Sequence, residues 1–263
     1  MGISEELVEK SIYILREVYF EFKKPAVLWS TGKDSTAVLN LCRQAFLGDI
    51  PFPVIHIDTG LKFIQMYNFR DNLAEEWNMD LIVTRNNKEF GKIKPEGNKF
   101  KCCNKLKTDA LKMCLKEYGF DALILAIRRD EHGIRAKERV FSPRDSKFAW
   151  DYRNQPVEMW DLYNKNTKGH TRIHPILHWR ELDVWEYVKE YNLPSNPMYF
   201  SNNGQRYRSL GCAPCTNPIE SEASNIDEVI EELRTTKLAE REGRAQDKEN
   251  TFNMQKLRSL GYM

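Results

Sequence analysis

From Ser4 to Phe22 the apolar positions Leu7, Ile12, Ile14, Leu15, Val18 and Tyr19 recur at close to helical spacing, and Pro25 ends that stretch. Ala26-Val27-Leu28-Trp29 follows, a short continuous apolar run of the kind shown by a strand buried on both faces. After the polar turn Ser30-Thr31-Gly32-Lys33-Asp34-Ser35, helical spacing returns from Thr36 to Phe46 through Val38, Leu39, Leu41, Cys42 and Ala45. The unit is strand, loop, helix.

The unit recurs. Pro53 to Ile57 predicts a second strand ending at Asp58-Thr59-Gly60, with a helix through about Trp77. Leu81 to Val83 predicts a third strand and Lys105 to Tyr118 a helix. Ala122 to Ile127 predicts a fourth strand, ending at Arg128-Arg129-Asp130-Glu131, and Ile173 to Leu177 a fifth before a helix over Glu181 to Tyr191. Such alternation implies an α/β fold with an open, mostly parallel twisted sheet and helices on both faces. Ligands of such sheets collect beyond the carboxyl ends of the strands, where these polar clusters fall. After about Pro194 the pattern changes to loops and one charged helix, Ile226 to Arg234. The expected organisation is an α/β domain over 1–194 and a C-terminal extension over 195–263.

Composition narrows the partners. The 40 basic residues nearly balance the 38 acidic ones, so net charge gives no general pull toward nucleic acid or a membrane surface. No apolar stretch reaches the roughly 18–20 residues needed to span a bilayer. The first ten residues carry acid early and lack the plan of a secretion signal, and Glu6 stands where a myristoylation motif needs Ser or Thr. A cytoplasmic location follows as an expectation, with the six cysteines reduced.

A loop between a buried strand and a helix start offers unpaired backbone N–H groups and the positive end of the helix dipole. Gly32 permits close approach of an anion, Lys33 adds a point charge, Ser30 and Ser35 add hydroxyls, and Asp34 offers a magnesium contact. The spacing is not that of the common P-loop. Ser30 to Ser35 resembles instead the Ser-Gly-Gly-x-Asp-Ser loop of the ATP pyrophosphatases, which bind the pyrophosphate of ATP and transfer AMP. Thr31 departs from the usual Gly, and a Thr there is expected to keep a negative φ.

Longer segments narrow the resemblance. Pro51-Phe52-Pro53 with His56-Ile57-Asp58-Thr59-Gly60, Lys62-Phe63 and Phe69-Arg70-Asp71 resemble the small subunit of bacterial heterodimeric ATP sulfurylase. So do Arg128 to Glu131, Arg135 to Ser142, Glu181 to Trp185, Ile219-Glu220-Ser221 and the segment from Glu240 through Tyr262. The resemblance implies an adenine nucleotide alpha hydrolase-like fold and sulfate adenylyltransfer. Ser30, Thr31, Gly32, Lys33, Asp34 and Ser35 would then hold ATP with Mg2+, and Asp58, Thr59 and Gly60 would line the nucleotide site. Lys33, Asp34, Arg128 and Arg129 are the catalytic candidates. It also implies a GTP-binding large subunit as partner, since this chain has no Walker-type motif; self-association is left open.

Guanidinium forks suit sulfate and phosphate oxygens, so Arg128, Arg129, Arg135, Lys137 and Arg139 are candidates for holding sulfate and the α-phosphate. The bland reading of the same run is a solvated charged loop.

Cys102-Cys103 and Cys212-Ala213-Pro214-Cys215 could together supply four thiolates to one metal or cluster, or could be buried thiols used as small apolar residues. Adjacent cysteines diverge along an extended chain, which is unusual for zinc. The combination resembles the [4Fe–4S] site of assimilatory adenylylsulfate reductases, which implies a cluster on Cys102, Cys103, Cys212 and Cys215. Those reductases use a further cysteine near the C-terminus, and no cysteine follows Cys215 here. Reductase chemistry is therefore the weaker reading. The mixture also fits the cluster-bearing ATP pyrophosphatases of DNA phosphorothioation, under which nucleic acid becomes the substrate. Cys42 and Cys114 read as apolar helix residues, and His170, His174 and His178 are assigned no metal because Pro175 breaks the helix that would align them.

Overall fold

The computed structural model describes residues 2–93, 98–133, 135, 138–151, 153, 155, 157–160, 163, 170–241, 243–244, 256–257 and 260–261. Its helix α1, Glu5–Glu21, precedes β1, Pro25–Leu28, and α2, Lys33–Ala45. Then come β2, Val54–Ile57, α3, Ile64–Glu76, and β3, Leu81–Thr84. α4, Lys99–Cys103, passes through a π-helical turn at Asn104–Thr108 into α5, Asp109–Tyr118. β4, Ala122–Ile124, β5, Phe141–Arg144, β6, His170–Ile173, and α6, Glu181–Glu190, complete the α/β region. A small hairpin of β7, Gln205–Arg206, and β8, Ile219–Glu220, and the helix α7, Ile226–Thr235, follow.

The strands run in the order β3-β2-β1-β4-β6-β5, all parallel except the edge strand β5. The chain goes outward from β1 through β2 to β3, then returns to place β4 on the other side of β1. That reversal is a topological switch point, and it opens a crevice beyond the carboxyl ends of β1 and β4. Full burial on both faces explains the apolar runs: Ala26, Val27, Ile55, Leu123, Ile124 and Ile173 are all inaccessible to solvent. α2 packs against both α1 and α6, α7 packs on α6, and α5 packs on β3.

Three elements differ from the sequence reading. The strand expected at Ile173 to Leu177 lies earlier, at His170–Ile173, because Pro175 cannot donate to a ladder and His174 to Leu177 turn back instead. β5 has no apolar run, since its Ser142 and Arg144 are buried polar residues, satisfied in part by Glu138. The helix expected from Lys105 begins at Lys99 once its π-helical turn is included, so Cys102 and Cys103 sit on a helix rather than on extended chain. Lys137 lies outside the described residues.

Candidate nucleotide-binding site

β1 delivers the chain to the sheet edge at Trp29, and the next three residues form the loop that starts α2. The Ser35 hydroxyl accepts from the Ser30 amide at 3.2 Å, lies 3.1 Å from the Ser30 hydroxyl and donates to the Gly32 carbonyl at 3.1 Å. The loop is thereby closed on its own helix. Gly32 has no room to spare, because a Cβ there would sit 3.3 Å from both the Ser30 hydroxyl and the Tyr199 hydroxyl. The expectation that Thr31 keeps a negative φ is overturned. Its φ is +66°, and its hydroxyl donates to the Ser30 carbonyl at 2.6 Å. Thr31 thus adopts the left-handed conformation for which the resembled loop uses Gly.

Lys33 opens α2 and its side chain is 1% exposed. Its ammonium lies 3.2 Å from Asp34 and 3.9 Å from Glu181, and it is hydrogen-bonded to Glu240. Arg128, carried past the end of β4, is fully buried beside it. Arg128 donates from Nε to Asp34 at 2.6 Å, from Nη1 to Asp130 at 2.5 Å, and from Nη2 to Glu240. Burial opposes the charge on Lys33 and on Arg128, yet the surrounding carboxylates, Asp34 and Glu240 foremost, hold both above their ordinary pKa values. Both stay cationic. Asp130 also accepts from the amide of Glu181 at 2.8 Å, and Glu181 pairs with Arg208 at 2.7 Å.

The cavity over this network has a volume of ≈ 170 Å³ and is walled by the loop, by Leu125 to Ile127 after β4, and by Tyr199. Arg135 lines it and is paired with Glu131. Lys107, Arg241 and Arg244, none of which sequence reasoning placed here, add further positive charge to the wall, and Lys62 joins them with burial bringing its ammonium down to about 7. Arg129 points elsewhere, toward His178 at 3.1 Å and the Glu138 carbonyl at 3.3 Å, and Arg139 is exposed. Asp58 is held by the Gly60 amide and the Tyr67 hydroxyl, both at 2.8 Å, and by Arg85 at 3.1 Å. From the β2 end it is Ile57 and Lys62 that face the cavity.

Thr59 reaches in the other direction, to Cys212, with its hydroxyl 3.3 Å from the sulfur. The Cys212–Cys215 turn is pinned to the same loop by the Ala213 amide, which donates to the Leu61 carbonyl at 2.7 Å. Cys102 and Cys103 lie close enough to feel the charge of Cys212 and Cys215, and all four thiols are buried. Burial, then the neighbouring thiols, pushes Cys102 up to about 12. Burial also opposes ionisation of Cys212, but Lys107, the Thr59 hydroxyl, Lys62 and Arg244 together hold it below the ordinary thiol value. Among the described residues no three of His, Cys, Asp or Glu are gathered tightly enough to hold a single metal ion. Nor is any described helix long and apolar enough to cross a membrane.

The phosphoadenosine phosphosulfate reductase domain family matches residues 24–218. The chain is 40% identical over 290 residues to the sulfate adenylyltransferase subunit 2 of Psychromonas ingrahamii, covering 97% of this chain and 96% of that protein. It is likewise 40% identical to the Pseudomonas aeruginosa protein of the same name, over 98% of this chain and 97% of the relative. Among solved structures it is similar to a phosphoadenylyl-sulfate reductase from Candida auris, with a TM-score of 0.60 at 18% identity, over 83% of this chain and 99% of that one. FMN adenylyltransferase from Candida glabrata shares the fold at a TM-score of 0.58 and 17% identity, over 81% of this chain and 65% of the other.

Proposed function

Since the chain belongs to the phosphoadenosine phosphosulfate reductase domain family and, within it, to the sulfate adenylyltransferase subunit 2 family, we propose that it transfers AMP from ATP to sulfate, releasing pyrophosphate. The observation that carries this reading is the buried pair Lys33 and Arg128 at the carboxyl end of β1 and β4, beside a cavity lined by Ser30, Gly32, Lys33, Asp34 and Ser35 of the loop. Two fixed cations and a helix N-terminus suit the β and γ phosphates, which must be gripped as pyrophosphate leaves. Sulfate is a weak nucleophile, so the rate would come from positioning and charge neutralisation rather than from a general base. Arg135, with Lys62 and Lys107 on the same cavity wall, would hold sulfate against the α-phosphate, whereas Arg129 faces His178 and Arg139 is exposed.

Magnesium is usually bound through one or two carboxylates together with substrate phosphates, and Asp34 on the cavity wall is the carboxylate placed to share it. The four cysteines suit an iron–sulfur cluster in kind: all are thiols, all are buried, and Lys62, Lys107 and Arg244 stand by to offset thiolate charge. When bound, such a cluster would cross-link α4 to the Cys212–Cys215 turn beside the cavity. The name subunit 2 implies a large-subunit partner, and a GTPase is the partner this uphill reaction calls for. The same cysteines favour a second reading, in which the activated phosphate belongs to nucleic acid; it requires DNA or tRNA to stimulate ATP cleavage.

The reverse reaction tests the leading reading. Anaerobically purified protein given adenylyl sulfate, pyrophosphate and magnesium should form ATP, and Lys33→Ala should abolish it. ATP formation that survives Lys33→Ala would remove the loop from the reaction.

A further inference from the structure

Glu240 lies on the chain that follows α7 and lines the cavity together with Arg241 and Arg244. This segment is fastened along its length. Arg208 donates to the Leu238 carbonyl at 2.7 Å, Arg241 pairs with Glu131 at 2.8 Å, and the Asn217 amide donates to the Gly243 carbonyl at 2.9 Å. Between those ties the Glu240 carboxylate is driven into the floor of the site. One oxygen bonds the Lys33 ammonium and the other bonds Nη2 of Arg128, and the side chain is only 7% exposed. Two oxygens of one anion on two separate buried cations is the contact a phosphoryl group would make there.

Charge makes joint occupancy unfavourable. At the floor Lys33, Arg128 and Arg208 face Asp34, Asp130, Glu181 and Glu240, so carboxylates outnumber cations there, while the cations Lys107, Arg135, Arg241 and Arg244 lie on the wall. A pyrophosphate moiety brings several more negative charges into low dielectric, where like charges repel strongly. The other carboxylates have further ties: Asp130 to the Glu181 amide, Glu181 to Arg208, and Asp34 to the helix start on which it sits. Glu240 alone among them arrives on a loop from outside the sheet.

On the reading that this cavity takes ATP, we infer that Glu240 is a place-holding anion. It keeps Lys33 and Arg128 paired in the nucleotide-free chain, and the departing pyrophosphate portion of the nucleotide displaces it. Its release loosens the segment from Leu238 to Arg244, so that filling the phosphate site opens this wall of the cavity. Glu240 is on this account a positioning residue that competes with substrate, not a group that touches the reacting atoms.

The test is calorimetric binding of inorganic pyrophosphate to the full chain, free of magnesium, in wild type and in Glu240→Gln. Removing the competing charge should tighten binding about tenfold. Unchanged or weaker binding by a folded Glu240→Gln, with wild-type binding intact, overturns the displacement and leaves the nucleotide site standing. Binding by neither protein removes the site and the inference together. Should Glu240→Gln not fold, hydrogen exchange on wild type decides. Pyrophosphate should speed exchange of the Asn217 and Arg244 amides, whose bonds to Gly243 and Arg241 hold the segment. Slower exchange there means the segment tightens, and the inference fails.

Discussion

The backbone amide of Lys33 donates to the hydroxyl of Tyr199, 3.0 Å away and 166 residues further along the chain. One of the first N–H groups of α2 has no partner within the helix. A tyrosine from beyond residue 194 supplies one, and its ring is held edge-on by Trp185 at 5.4 Å. The nucleotide loop is thus built partly from the segment expected to be an extension.

Tyr199→Phe keeps the ring and removes the acceptor, leaving a buried amide unsatisfied. Urea unfolding should show a loss of about 1–3 kcal/mol. A non-hydrolysable ATP analogue should narrow that gap, because a phosphate oxygen can take the same amide. An equal loss with and without the analogue would mean that the amide never meets the ligand.

Thr31 at φ +66° predicts a reversal of the usual ranking of small residues. An L-residue in this region costs about 1–2 kcal/mol, which Gly avoids at an entropic cost of about 0.5–1 kcal/mol. Thr31→Gly should therefore be more stable than Thr31→Ala, by up to about 1.5 kcal/mol. Equal stability, or an advantage for Ala, would contradict the conformation.

How much of this was legible in the sequence differs between sheet and site. β1, β2 and β4 could be read because burial on both faces leaves apolar runs, as in Ala26 to Trp29 and Ala122 to Ile124. The edge strand β3 was legible from Leu81 to Val83 although it is only half-buried. β5 could not be read, because its burial is of Ser142 and Arg144, and their pairing with nearby Glu138 leaves no apolar run. The loop from Ser30 to Ser35 was legible because local backbone requirements dictate its residues. That Glu240, Tyr199 and Glu181 meet this loop was not, because Glu181 and Glu240 were visible only within motifs far along the chain and Tyr199 carries no periodic signal. The arginine run gave position without direction: Arg128 turned inward and Arg129 turned away.

Two buried histidines set an acid limit on stability. Burial, opposed only weakly by a backbone bond, lowers His170 and His174 to about 3 from an ordinary value near 6.5. The unfolded chain takes up these protons first, so stability is intact above pH about 6.5 and is lost as pH falls from there toward about 3. Each histidine contributes a slope of about 1.4 kcal/mol per pH unit inside that window. His174→Asn should lower the slope of urea-derived stability between pH 6 and 5. A slope unaffected by the substitution would place the sensitivity elsewhere.

Cluster binding is checked by composition rather than turnover. After anaerobic reconstitution with iron and sulfide, the protein should carry about four irons per chain and a broad visible absorbance. Cys212→Ser and Cys102→Ser should lose both, whereas Cys42→Ala should keep them, since Cys42 is a buried core residue of α2. Full iron content in Cys212→Ser would exclude this ligand set.

The proposed transfer breaks ATP between its α and β phosphates and delivers the AMP to sulfate. The direct measurement supplies ATP labelled at the α-phosphate, with sulfate, magnesium and inorganic pyrophosphatase to draw the reaction forward, together with the large-subunit partner and GTP. Labelled adenylyl sulfate should form only when sulfate is present, and should be absent with Lys33→Ala. Labelled ADP, or AMP released at the same rate without sulfate, would contradict the transfer.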